Sequence, residues 1–352
     1  MRLLLALSAA VACLLRAVGA ARGANASPVA AAASDSRELF AQHVQKFSLS
    51  LEAGSVEYES RHEVFRGNLA QIEAHNAKKD KSFTMGVNKF AHLTADEFAE
   101  SLGYGKSYIK RKDVPLAATI EDGDAAAEAG GHVTAHPLSR RRAQTMLPES
   151  WDWSAKGATT PVKNQGSCGA SWAFAATGAL EGAYFAKYDR LPNASPASPD
   201  SGFTGLSEQQ LLACEQINGG CFVGGAAQYG FMYAADNGGL ASEVDVPYSS
   251  GSTPTDVGIC DNFIVDPSTA TVPDKPFVSV SPTVAAMMNA VYNQPVAITI
   301  NAMNPAFQLY NFGTISDGSI CPPGNAEHNA LLVGWGADEN DIPFWIIKNS
   351  WG

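Results

Sequence analysis

A glycine-rich turn and the helix predicted after it place a hydroxyl where a nucleophile works well. Residues 161–174 read PVKNQGSCGASWAF and predict a turn that opens into a helix rich in alanine and aromatic residues, extending to about Phe185. Ser171 lies at the start of this helix, where backbone N–H groups and the helix dipole favour negative charge. The position therefore suits both an attacking group and a developing oxyanion.

A general base for this hydroxyl has a single candidate, because residues 147–352 contain one histidine, His328. Taken alone, a histidine in an apolar run is more often structural than catalytic. Its surroundings predict a hairpin, with one strand at 327–336, a polar turn, and a returning strand at 343–349.

The register of this hairpin predicts a partner for the imidazole. If both strands are regular, paired positions sum to about 677, which places His328 opposite Asn349. Asn349 would then orient the imidazole, and Trp351 would shield the contact from water. The alternative is that these are unrelated hairpin residues.

A second patterned segment lies upstream, where a stripe at spacings of three and four residues predicts a helix over 57–76. The pattern also predicts an ion pair between two of its members four residues apart. Alone this would be an ordinary amphipathic helix, but asparagines on the packed stripe indicate specific hydrogen bonds. Residues 86–92 then alternate with the period of a strand. The stripe consists of Glu57, Arg61, Phe65, Asn68, Ile72 and Asn76, and the ion pair is Glu57 with Arg61.

Length, composition and charge bound the kind of protein. The 352 residues favour two globular units with appendages, and 45% hydrophobic with 17% charged residues excludes a wholly disordered chain. A net charge of −11 argues against nucleic acid as the main partner. Residues 147–352 carry 6 basic and 19 acidic residues, whereas 21–146 are balanced, which indicates two units with different roles.

The N-terminus and one linker carry processing signals. Residues 1–20 have the basic start, apolar run and small residues of a secretory signal peptide, too short to span a bilayer. Secretion allows disulfides, and Asn25 and Asn193 are glycosylation acceptors. Residues 113–146 predict a flexible linker. Its basic triplet at 140–142 is either a processing site or a solvated run of charge.

The turn and helix start also carry a family signature. Residues 168–172 match C-G-[SA]-C-[WY] at every position except the nucleophile, where Ser171 replaces cysteine. The domain therefore resembles papain-family peptidases.

The upstream segment resembles the inhibitory propeptide of cathepsin L-like members of that family. The stripe over 57–76 matches all six positions of the long-helix motif. A second motif is matched at three positions, but a histidine replaces its usual aspartate. That departure bears on any acid-triggered release that relies on the carboxylate. The matched positions are Gly86, Asn88 and Phe90, and the histidine is His92.

The resemblance implies an α+β, papain-like fold of two subdomains, a helical half and a β-barrel-like half, with the cleft between them. It divides the chain into a signal peptide at 1–20, a helix-rich inhibitory propeptide at 21–112, a linker at 113–146 and the peptidase domain at 147–352. Because the family continues for a few dozen residues past Gly352, we interpret the chain as truncated at its C-terminus.

The resemblance also assigns roles. Gln165 and the Ser171 backbone N–H would donate to the oxyanion, His328 would be the base, and Asn349 would orient it. A glycine pair would form the edge of the substrate cleft, and small residues would line its main pocket. These cleft residues are Gly224, Gly225, Ala226, Ala227, Thr299 and Ala326.

The resemblance also implies how the cysteines pair. Disulfides are expected between Cys168 and Cys221 and between Cys214 and Cys260, with Cys321 paired to a cysteine beyond the end of the chain. Five mature cysteines are an odd number for a secreted domain. Zinc binding is a weak alternative, since ligand spacing is missing. We expect no metal and no cofactor.

The function implied is a hydrolase: a thiol-protease-family endopeptidase made as a zymogen and inhibited by its own propeptide. Its substrates would be peptides or proteins, and it would be a glycoprotein and a monomer, without a membrane span or nucleic-acid partner. It would enter the secretory pathway and reach a lysosome-like or vacuolar compartment or the exterior.

Ser171 weakens this expectation. An alcohol has a pKa near 16 and a thiol near 8.5, a gap of about 7 units, or on the order of 10 kcal/mol. A Ser-His-Asn group also lacks the carboxylate that serine peptidases use. We therefore predict weak or absent activity. The rivals are an inactive pseudopeptidase that binds peptides or acts as a decoy, and a standalone inhibitor at 35–105.

Overall fold

The computed structural model describes most of the chain. The described residues are 28–101, 119–120, 147–192 and 203–352, the last range with gaps at 254, 262, 264, 266–276, 317–319 and 321–327. The chain divides into two compact units, Met1–Tyr58 and Glu59–Gly352. In the first unit, the rings of Phe40 and Tyr58 meet edge-on, with centroids 4.9 Å apart. The predicted signal peptide, both glycosylation acceptors, the basic triplet, Cys321 and Ala326 lie outside the described residues.

Helices dominate the part of the chain before residue 240, and strands dominate the end, which confirms the α+β prediction. The helices are α1 (Pro28–Lys46), α2 (Val56–Asn76), α3 (Ala95–Ser101), α4 (Ser171–Tyr188), α5 (Glu208–Cys214), α6 (Gly220–Val223), α7 (Ala227–Asp236), α8 (Val284–Asn293) and α9 (Pro305–Gln308). The strands are β1 (Phe83–Met85), β2 (Thr119–Ile120), β3 (Trp151–Asp152), β4 (Ser279–Val280), β5 (Val296–Ile300), β6 (Tyr310–Gly313), β7 (His328–Ala337) and β8 (Pro343–Lys348).

The long strand β7 organises the main sheet. It pairs antiparallel with β5 from His328 to Leu332 and with β3 at Gly334 and Trp335. It also pairs antiparallel with β8. Nine of its ten residues are buried, because helices and strands cover both of its faces.

Helix α4 packs directly against this sheet. The helix is apolar around most of its circumference, as expected of a helix inside a core rather than on a surface. Two glycines allow the close approach: a Cβ at Gly178 would lie 2.9 Å from a methyl of Leu331, and one at Gly182 would lie 2.4 Å from Pro295. The packing fixes the first residue of α4 against the first residues of β7.

The asparagines of α2 make the specific hydrogen bonds that the sequence predicted. Asn68 Nδ2 donates to the carbonyls of Ala91 and Leu93, both at 2.9 Å. Asn76 both donates to and accepts from the backbone of Met85. These bonds tie the helix to the segment that follows it.

The predicted ion pair and the predicted strand after α2 are wrong. Arg61 Nη1 lies 2.7 Å from both carboxylate oxygens of Glu97, whereas Glu57 is exposed. The strand lies at Phe83–Met85, and 86–92 form an irregular segment and a turn. The side chain of Asn88 explains the turn, because its Oδ1 accepts the backbone N–H of Phe90 at 3.0 Å.

This upstream segment packs onto the domain at 147–352. β1 pairs antiparallel with β6, and Asn88 Nδ2 donates to the Gln308 carbonyl. The rings of Phe90 and Phe98 meet the Trp351 ring edge-on, with centroids 5.6 and 5.4 Å away. The upstream segment therefore contacts the domain in two ways, by strand pairing at β6 and by aromatic packing on Trp351.

Two residues of the predicted linker are ordered in a strand. Thr119 and Ile120 form β2, which pairs in parallel with Ser279 and Val280 of β4. The rest of the linker at 113–146 lies outside the described residues.

Candidate active site

Ser171 is the first residue of α4 and is 3% exposed. The turn before it is held by the Cys168–Cys221 disulfide, and Gly169 N donates to the Cys221 carbonyl at 2.9 Å. The second predicted disulfide, Cys214–Cys260, is also present. Ala170 offers no side-chain cap to the helix, and the Ala173 N–H donates to the Ala170 carbonyl, so the amides of Ser171 and Trp172 are the ones placed to meet an anion at the helix start.

The contact predicted between His328 and Asn349 is present, with Nε2 2.8 Å from Oδ1. The register argument behind it is wrong. Near the turn, Trp335 pairs with Trp345, three residues away from the predicted register, and a bulge between Leu332 and Gly334 reduces this offset to two where Leu331 pairs with Lys348. Asn349 lies just past the end of β8 and reaches the imidazole without being its cross-strand partner.

The imidazole of His328 is held in its neutral form, with one ring nitrogen left to accept a proton. His328 is 0% exposed, and its ring lies 4.9 Å from that of Trp351. Burial lowers the pKa of His328 to about 4, although the hydrogen bond to Asn349 opposes the shift. The neutral ring donates its Nε2 hydrogen to the amide oxygen of Asn349, so Nδ1 carries the lone pair. Nδ1 is buried and has no hydrogen-bond partner among the described residues.

The Ser171 hydroxyl contacts β7 at Asn329, the residue that follows His328. Ser171 Oγ accepts a hydrogen bond from the backbone N–H of Asn329 at 3.2 Å and lies 3.5 Å from its Nδ2. Ser171 and His328 therefore lie on neighbouring elements, at the starts of α4 and β7. The hydroxyl oxygen is engaged by Asn329 rather than by the imidazole.

Gln165 lies behind the turn and is almost fully buried. Its Nε2 donates to the Cys168 carbonyl at 2.9 Å, and its Oε1 accepts from Ser350 Oγ at 2.6 Å. A carboxamide nitrogen has two hydrogens, so one remains for a further acceptor. Ser350 also holds the Gln165 backbone, because its carbonyl accepts the Gln165 N–H at 2.8 Å.

The predicted cleft edge forms a loop beside the disulfide. A Cβ at Gly225 would lie 2.2 Å from the Asn218 side chain, so only glycine fits. Asn218 Oδ1 in turn accepts the backbone N–H of Ala226 at 2.8 Å. Asn329 Nδ2 donates to the Gly225 carbonyl at 3.0 Å, and the exposed Thr299 lies opposite Asn329 on β5. Ala326 is outside the described residues.

A buried group of charges lies behind the site, between α4 and β7. Lys163 Nζ is 2.8 Å from both carboxylate oxygens of Glu208, one of which also accepts from Thr177 Oγ1 at 2.6 Å. Burial raises the pKa of the Glu208 carboxyl, and Lys163 opposes the shift. A cavity here has about 20 Å³ of room, enough for a water. Its charged lining residues are Lys163, Glu181, Glu208 and Lys348.

The sequence interpretation missed Asn329, Ser350 and this charged group. Asn329 had a local signal, since it is polar within an otherwise apolar strand beside the candidate base. Ser350 had none, because its role depends on the contact of the chain end with the turn at Gln165. Lys163 lies within the motif at 161–174, but the acidic residues that it contacts are distant in sequence.

Two general features of the described residues can be stated. No helix within them is long and apolar enough to cross a membrane. Nor do they include a cluster of three or more histidine, cysteine or acidic residues able to hold a metal ion. The absence of a cofactor stays a prediction.

A candidate nucleophile at the start of a helix, together with an imidazole that an asparagine side chain orients, is the arrangement found in thiol-type peptidases. Sequence comparison names the family. The model of the papain family of cysteine proteases matches residues 147–352, and that of the cathepsin propeptide inhibitor domain matches 40–98. The chain belongs to the papain family and has the propeptide of a zymogen.

Individual relatives agree with this assignment. The chain is 33% identical over 300 residues to probable cysteine protease RD21C of Arabidopsis thaliana, covering 85% of this chain but only 57% of that protein. It is 32% identical over 308 residues to procathepsin L of Mus musculus, covering 85% and 79%. The structure of digestive procathepsin L2 proteinase from Tenebrio molitor larval midgut superposes with a TM-score of 0.69 at 29% identity, covering 90% of each chain.

His92 gives the propeptide an expected response to acid. Burial and the charge of Arg61 lower the pKa of His92 from 6.5 to about 4, while Glu97 opposes the shift. The packed propeptide therefore favours the neutral ring. The contribution of His92 to the stability of the packed propeptide is complete above pH 6.5 and is lost as the pH falls toward 4. Cleavage of the propeptide by an added protease, measured across this window, should accelerate with acid.

Two variants test this assignment. His92→Gln should remove the acceleration between pH 6.5 and 4, because it removes the titrating group. His92→Asp restores the usual residue beside Arg61 and should move the acceleration below pH 4. An unchanged pH profile in both variants would assign the response to other groups.

Proposed function

We propose that residues 147–352 act on peptides and proteins, with Ser171 as the attacking group and His328 as its base. Asn349 orients the imidazole, and Gln165 Nε2 and the Ser171 N–H donate to the oxyanion. The observation that carries this proposal is the buried Nδ1 of His328, which has no hydrogen-bond partner among the described residues and belongs to the residue before Asn329, whose backbone N–H donates to Ser171 Oγ.

The proposed hydrolysis is slow. Helix dipole and imidazolium lower the pKa of a thiol by a few units, which would leave an alcohol protonated at any ordinary pH. The hydroxyl must instead lose its proton to His328 during attack. That step lacks the orienting carboxylate that supports it in serine peptidases.

The second candidate is a non-catalytic protein that binds peptides or acts as a decoy. The engagement of Ser171 Oγ by Asn329, rather than by the imidazole, favours it. In either case we propose a monomeric zymogen with boundaries at 20, 112 and 146, sent through the secretory pathway to a lysosome-like or vacuolar compartment or secreted.

The test is incubation of the propeptide-free protein with a mixture of peptides, analysed by mass spectrometry over time. The proposal expects slow cleavage that disappears in His328→Ala. Peptides recovered bound but intact, with no products that depend on His328, would overturn the hydrolytic proposal and leave the peptide-binding one.

A further inference from the structure

We propose that the Asn329 side chain is a latch that closes the groove over Ser171 and controls access to it. This inference rests on the proposed function, since it concerns the same site. It goes beyond it by assigning a specific residue to access rather than to chemistry.

The contacts of Asn329 span the site. From β7, its Nδ2 donates to the Gly225 carbonyl at 3.0 Å and lies 3.5 Å from Ser171 Oγ, while its backbone N–H donates to the same Oγ at 3.2 Å. Its Oδ1 lies 3.5 Å from Thr299 Oγ1. The side chain is 5% exposed and thus fills the space between the cleft edge and the serine.

These contacts occupy the groups that a substrate would need. A peptide that adds to an exposed backbone edge must donate an N–H to a carbonyl such as that of Gly225. The Asn329 amide already supplies that donor, as a substitute for the amide of a ligand.

The same amide covers the attacking atom. A hydroxyl oxygen has two acceptor lone pairs, and the two nitrogens of Asn329 lie 3.2 and 3.5 Å from the oxygen of Ser171. Attack on a carbonyl carbon needs one of these lone pairs free. Rotation of the single Asn329 side chain would release the oxygen of Ser171 from Nδ2 and the carbonyl of Gly225 at once.

Chemical labelling of the full chain tests the latch. In a Ser171→Cys background, the rate of alkylation by iodoacetamide at position 171, followed on the peptide that contains it, is measured from pH 5 to 10, with and without Asn329→Ala. The plateau at high pH reports access to the thiolate, and the midpoint reports its pKa. We expect Asn329→Ala to raise the plateau at least tenfold. A plateau within twofold of the background, with or without a shifted midpoint, would overturn the proposal.

Two further variants control for nonspecific effects of substitution and for failure of Asn329→Ala to fold. Asn289→Ala removes an exposed asparagine of α8 whose amide donates to the Ala285 carbonyl of its own helix, and it should leave the plateau unchanged; an equal rise there would also overturn the proposal. If Asn329→Ala does not fold, Asn329→Ser is too short to reach the Gly225 carbonyl and carries the same expectation. Alkylation needs no peptide hydrolysis, so the latch and the proposed function can fail separately.

Discussion

Ser171→Cys is expected to raise the rate of peptide hydrolysis by the propeptide-free protein about 10⁴-fold. Serine peptidases lose about that factor in turnover when asparagine replaces the aspartate that orients their histidine, and Asn349 is the orienting residue here. A thiol at the start of α4, beside His328, can ionise before attack and does not depend on that carboxylate. Steady-state hydrolysis of a fluorogenic peptide measures the difference.

Two controls isolate the cause of this increase. Ser171→Ala should abolish whatever activity the native chain has. His328→Ala, added to Ser171→Cys, should remove most of the gain, because the imidazole is the only histidine of the domain. Native turnover within tenfold of the cysteine variant would show that the hydroxyl is activated by a means that this geometry does not explain.

Lys163→Met is expected to lower the free energy of unfolding by about 3–5 kcal/mol. The lysine ammonium is hydrogen-bonded to the nearly inaccessible carboxylate of Glu208 and lies 3.5 Å from Glu243. Although burial opposes it, the charges of these acids and of Glu181 raise the pKa of Lys163. Removing the cation leaves the buried carboxylate of Glu208 without the charge that it is bonded to, which costs more than the loss of an exposed ion pair. Urea unfolding with the disulfides intact measures the change.

A matched exchange elsewhere on the chain tests whether burial causes this loss. Arg66→Met removes the exposed Arg66–Glu63 pair of α2 and should leave stability unchanged. Adding Glu208→Gln to Lys163→Met should restore part of the loss, because it neutralises the stranded carboxylate. Equal effects of Lys163→Met and Arg66→Met would mean that the buried pair contributes nothing of its own.

Features that depend on neighbouring residues were predictable from the sequence. The stripe of α2 and the start of α4 follow from side-chain spacing and local turn chemistry. The helix at Glu208–Cys214 likewise begins at Ser207, whose side chain accepts the Gln210 N–H. In each case the deciding interaction lies within about four residues.

Features that depend on tertiary placement were not predictable. The position of the turn set the register three residues from the prediction and a bulge in β7 reduced this offset to two, yet Asn349 just past the end of β8 still contacts His328. Arg61 pairs with Glu97 rather than with Glu57 on its own helix, because folding places the Glu97 carboxylate beside the guanidinium. The contacts of Asn329 join three segments, so its polar character within an apolar strand marks the residue but does not identify its partners.

The Trp351 ring is shared by the two parts of the zymogen. It lies against the candidate base on one side and against Phe90 and Phe98 of the propeptide elsewhere. When the propeptide departs, we expect the indole to be uncovered and solvent to come nearer to the imidazole, whose pKa is lowered by burial. Maturation would then hydrate the site and raise the pKa of the proton acceptor, and tryptophan emission would report the exposure of the indole.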